Sequence, residues 1–74
     1  MITAEQCRGA RGMLDWSQAR LAKEAGVSLS TVRDFEKGRH LPQPRNMLTL
    51  VEVMEAAGIT FTRGGDNIGL VFKT

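Results

Sequence analysis

Residues 18–37, QARLAKEAGVSLSTVRDFEK, divide at Gly26 into two short helical patterns. Ala19, Leu21, Ala22 and Ala25 share one side of a helical wheel, and Gly26 follows where a left-handed cap needs a residue without a side chain. Val27 and Ser28 are the whole link. The Ser28 hydroxyl suits an N-cap, and Val27 with Val32 at the fourth helical position can form a hydrophobic staple. Gly38 closes the second helix. So short a link makes the helices cross steeply, with small Ala22 permitting close approach and Leu21, Ala25, Val32 and Phe35 burying one another. The opposite face of the second helix carries Leu29, Ser30, Arg33, Asp34 and Lys37. It is mostly polar and short at its N-terminal end, a shape that suits a groove.

Upstream, Thr3 and Gln6 have capping-box spacing and Ile2 with Cys7 can staple it, which predicts a first helix from about Ala4 to Met13. Its inward stripe is Ala4, Cys7, Ala10 and Leu14. Arg11 falls among them and needs a partner there. Glu36, four residues after Val32, is equally misplaced for an apolar face, so an Arg11 to Glu36 ion pair is expected to tie the first helix to the later one. Cys7, without a second thiol, reads as a small core residue. Ser17 is the expected N-cap of the helix beginning at Gln18, and Trp16 packs on Leu21 as its staple.

Downstream, Pro42 and Pro44 stiffen the loop after Gly38, and Pro44 opens a helix expected to run to about Ala57. Met47, Leu48, Leu50, Val51, Val53, Met54 and Ala57 make that helix apolar over a wide arc, with Glu52 and Glu55 on the remainder. The excess over one small core suggests a partner subunit. After Gly58 the period changes to two. ITFT alternates Ile59 and Phe61 with threonines, RGGDN is a turn-rich loop, and IGLVFK places Ile68, Leu70 and Phe72 on one face. A lone hairpin is marginal in water, so this arm must pack on the helices or join strands of another chain.

These pieces together, SQARLA from Ser17, EAGVS from Glu24, TVRDFEKGR from Thr31 and the helix after Pro44, resemble the lambda-repressor-like, Cro-type helix-turn-helix family of transcription regulators, the XRE family. The resemblance spans roughly residues 3 to 58. It implies a mostly α bundle of about four helices whose second motif helix reads double-stranded DNA, and it supports pairing Arg11 with Glu36. The best-known relatives end in a fifth helix, and here the sequence departs to a C-terminal β-hairpin or β arm. The expected organisation is one DNA-binding domain over residues 1–74, with a helical core to residue 58 and a dimerisation arm from 59.

Residues near the start of a recognition helix and one turn later reach the floor of a major groove, which makes Leu29, Ser30, Arg33 and Asp34 the candidate base contacts. Arg33 suits guanine and Leu29 a thymine methyl, and Ser30 can bond several bases. Asp34 accepts from cytosine N4 or, the simpler reading, neutralises Lys37. Many relatives carry long amides where this chain has Leu29 and Ser30, so their target sequences do not transfer. Ser17, Gln18, Thr31, Lys37, Arg39 and Arg45 are the candidate phosphate contacts. Gln18 stands at a helix N-terminus, and relatives commonly use the matching glutamine there. Met54, Ile59, Phe61, Leu70 and Phe72 are the expected dimer contacts.

Composition agrees without deciding the matter. Through Arg45 there are eight Lys or Arg against five Asp or Glu, and beyond it two against three, so the surplus lies on the helical front. One cysteine and one histidine offer no metal set or disulfide framework, and no cofactor is expected. No nucleophile, base and orienting group occur together, so an enzyme is not expected. The single RGG at Arg63 beside Asp66 and Asn67 reads as hairpin loop rather than an RNA contact, and the glycines there lack the Gly-Lys-Ser/Thr of a phosphate loop. No apolar run reaches membrane-span length, and the first residues lack a signal-peptide core, which predicts a cytoplasmic protein. The functional expectation is a homodimeric repressor of a palindromic operator, without a separate sensor domain and autoregulatory in its control. The alternative is an antitoxin or adaptor that docks a protein partner through its C-terminal arm.

Overall fold

A computed structural model describes residues 2–64 and 67–72, with side chains described through Thr62. Four helices, α1 (Ala4–Leu14), α2 (Gln18–Ala25), α3 (Leu29–Glu36) and α4 (Pro44–Ala56), precede an antiparallel pair of strands, β1 (Ile59–Gly64) and β2 (Asn67–Phe72).

Local chemistry sets each helix boundary. Thr3 Oγ1 accepts from the Gln6 backbone N–H at 3.0 Å while Gln6 Oε1 accepts from the Thr3 N–H at 2.9 Å, completing a capping box at α1. Ser17 Oγ accepts from the Arg20 N–H at 2.9 Å and Ser28 Oγ from the Thr31 N–H at 3.1 Å, so α2 and α3 start on the hydroxyls expected of them. Gly26 adopts φ 69°, and the Val27 N–H then reaches back to the Ala22 carbonyl at 3.0 Å, which stops α2 within two residues of the next cap. Asp15 takes the left-handed conformation that ends α1, a role open to aspartate as well as glycine.

The core gathers Cys7 and Ala10 of α1, Leu21, Ala22 and Ala25 of α2, Val32 and Phe35 of α3, and Met47, Leu50 and Met54 of α4, with Ile2 and Ile59 at its ends. Each helix therefore contributes one stripe, and the polar face of α3 is left outward. Ala19 is exposed rather than inward, because the stripe of α2 narrows to positions 21, 22 and 25.

The strands pair within the chain, Ile59 opposite Phe72 and Phe61 opposite Leu70, with β1 against α4 and β2 against α1. Gln6 Nε2 adds a bond to the Thr62 carbonyl at 3.3 Å. Of the two ways to stabilise a lone hairpin, this chain uses its own helices. That corrects two expected dimer contacts. Met54 is 0% and Ile59 2% exposed, packed in the chain's own core rather than on its surface. Phe61 is half-buried against the same core, and the side chains of Leu70 and Phe72 lie outside the described residues. No helix among the described residues is long and apolar enough to cross a membrane.

Candidate nucleic-acid interface

The outward edge of α3 begins in a cluster of hydroxyls. Ser28 Oγ lies 3.1 Å from Ser30 Oγ and 2.8 Å from Thr31 Oγ1 while also capping the helix. Thr31 is half-buried there, so its hydroxyl serves the cap. Leu29, Ser30, Arg33 and Lys37 are exposed, and nothing among the described residues covers that edge. Asp34 is half-buried on one flank, where it lines a hollow of about 310 Å³ with Ser30, Thr31, His40, Pro42, Gln43 and Asn46. Asp34 forms no ion pair with Lys37, contrary to the simpler reading of the sequence; among the described residues the ion pairs are Arg11–Glu36 and Arg20–Glu24. Arg33, Lys37, Arg39 and Arg45 are exposed cations without an ion-pair partner among the described residues. Arg20 is not, since its guanidinium also sits 4.9 Å from the centre of the Trp16 ring.

Beneath this edge, the side chain of Glu36 is 2% exposed and fully used. Arg11 meets it in two bonds, Nε to Oε2 and Nη2 to Oε1, both 2.7 Å. Gln18 Nε2 donates to Oε1 at 3.0 Å and Cys7 Sγ to Oε2 at 3.1 Å. Arg8 donates to the Glu36 backbone carbonyl, capping the end of α3, and Arg11 Nη1 donates to the Trp16 carbonyl at 2.8 Å. Burial alone would push the Glu36 carboxyl up. The hydrogen bonds from Arg11, Gln18 and Cys7, with the charge of Arg11, outweigh it and hold the group below its ordinary value. Burial pushes the Cys7 thiol the other way, up, and the bond to Glu36 and its negative charge add to that.

The predicted Arg11–Glu36 pair is therefore present, at the centre of a larger network than the sequence suggested. Gln18, an expected phosphate contact, has its side-chain amide drawn inward to Glu36, leaving one N–H and the helix N-terminus for a ligand. Cys7 and Arg8 were missed. Their signal was positional: Cys7 lies four residues and Arg8 three before Arg11, on neighbouring rows of the same helix. Ser17, at the α2 N-cap, is exposed.

Two helices crossing over a three-residue link, Gly26, Val27 and Ser28, with the second one anchored below and uncovered above, define a helix-turn-helix DNA-binding domain. The profile of the helix-turn-helix family matches residues 8–60, most of the chain, and the chain belongs to that family in its lambda-repressor-like, XRE-type form, a DNA-binding transcription regulator. A search of curated proteins returned no match.

Proposed function

We infer that the chain is a repressor that binds a palindromic operator as a homodimer. One motif spans a short half-site, and two related by a twofold axis place their recognition helices in successive major grooves about 34 Å apart. The observation that carries the reading is the uncovered N-terminal edge of α3, flanked by cations that have no ion-pair partner among the described residues.

Arg33 is the principal base contact, bidentate to guanine, with Ser30 and Leu29 beside it and Asp34 facing a cytosine amine from the flank. Lys37 and Arg39 bond phosphates, as do the N-terminus of α2 at Ser17 and Gln18 and, through its cap, the start of α3 at Thr31. Occupancy that rises as the dimer accumulates suits regulation of the chain's own genes. The adaptor reading gains nothing from the hairpin, whose strands lie against α1 and α4.

Selection of bound duplexes from a random library, followed by footprinting at two salt concentrations, tests this. A twofold consensus with half-sites one helical turn apart is expected. Enrichment of no sequence, or of an asymmetric single site, would contradict it.

A further inference from the structure

The helix α4 carries its charges against its own dipole. Arg45 stands in the first turn, and Glu52 and Glu55 lie toward the end, with no acid in the first turn and no base in the last. A helix N-terminus favours anions and a C-terminus cations, so this order disfavours an isolated α4. The same charges surround an apolar patch. Leu48 is 58% exposed, and with Pro44, Val51 and Met47 it lines a surface hollow of about 250 Å³. Pro44, Arg45, Val51 and Glu52 are its neighbours at three- and four-residue spacing, hence on one face. None of the three charges is used in an ion pair among the described residues.

An antiparallel second α4 resolves both features. Arg45 lies three residues before Leu48 and Glu52 four after it, so two copies crossing at Leu48 set Arg45 of each beside Glu52 of the other. Each arginine then also lies near the negative end of the opposite helix, and each acid near a positive one. The two Leu48 side chains cover each other and the adjoining hollows.

We propose that the exposed Leu48 face of α4 is the self-association surface of this chain, formed with a second copy in antiparallel register and held by reciprocal Arg45–Glu52 pairs. The proposal rests on the homodimer reading above and gives that dimer its contact. It takes Arg45 away from phosphate, where the sequence had placed it, and puts it at the subunit boundary.

Sedimentation velocity on the full chain, from about 1 to 200 µM, reads it directly, with circular dichroism checking that each variant is folded. The wild type is expected to show a concentration-dependent dimer and Leu48→Glu a monomer throughout. Arg45→Glu should weaken the dimer by about tenfold or more, by replacing two attractions with two repulsions, and Arg45→Glu with Glu52→Arg should restore it. A folded Leu48→Glu that still dimerises, or a double reversal no better than the single one, overturns the proposal while leaving a DNA-binding dimer intact. A wild type that is monomeric across the range and selects no twofold site overturns both.

Discussion

Arg11 and Glu36 face each other through two parallel hydrogen bonds of 2.7 Å, between a guanidinium 19% exposed and a carboxylate 2% exposed. The pair joins the first helix to the last turn of α3, the helix whose outward edge is proposed to read DNA. Its fork geometry needs arginine, because a lysine supplies neither the second parallel bond nor the third, to the Trp16 carbonyl.

Arg11→Met leaves the Glu36 carboxylate buried with only Gln18 and Cys7 as donors. A loss of about 3 kcal/mol in urea unfolding is expected, because removing one partner exposes the full desolvation cost of the other. DNA affinity should fall as well, since the end of α3 loses its tie to α1. Unchanged stability and unchanged binding would show that the pair anchors nothing.

Acid should act through the same carboxylate. Its folded value lies below that of an unfolded glutamate, about 4.3, so its contribution is complete above that value and lost as pH falls through the folded one. Melting temperature is therefore expected to drop on acidification below about pH 4, and less steeply in Glu36→Gln, which has no proton to take up there. Parallel profiles for the two proteins would place the acid sensitivity elsewhere.

Cys7 is 0% exposed, and burial holds its thiol protonated. The native chain should react with a maleimide or disulfide reagent only as fast as it opens, and at the ordinary rate in denaturant. Rapid labelling of the folded chain would mean that the network around Glu36 is open to water.

At Gly26 a new Cβ would meet no atom within 4 Å, yet φ is 69°. Conformation is thus the only penalty. Gly26→Ala should cost about 1 kcal/mol by thermal or chemical unfolding, and Gly26→Asn less, since asparagine tolerates the left-handed region better than alanine. Equal losses would point to packing at the turn instead.

Most of this architecture was legible in residues 18–37, because hydroxyl caps, glycine stops and three- and four-residue apolar spacing act locally. Thr3 with Gln6, Ser17, Ser28, Gly26 and Pro44 each ended or began an element where the sequence suggested. The Arg11–Glu36 pair was legible too, since two charges on two apolar stripes constrain each other. The less local features were not. Met54 and Ile59 read as surplus hydrophobics, but the hairpin folds back on α4 and consumes them, and only tertiary packing decides that. The inward turn of Gln18 and the recruitment of Cys7 and Arg8 depend on side-chain directions that spacing alone does not give.

The account turns on the exposed edge of α3 reading base pairs while cations at its end hold the backbone. Equilibrium binding of wild type, Arg33→Ala and Arg39→Ala to the selected duplex and to random duplex, across salt, tests that most directly. Arg33→Ala should lose ~1–3 kcal/mol on the selected site and little on random DNA, whereas Arg39→Ala should weaken both and lower the salt slope by about one. If both substitutions weakened selected and random duplex equally, or neither weakened any, the edge beginning at Leu29 would not be what reads DNA.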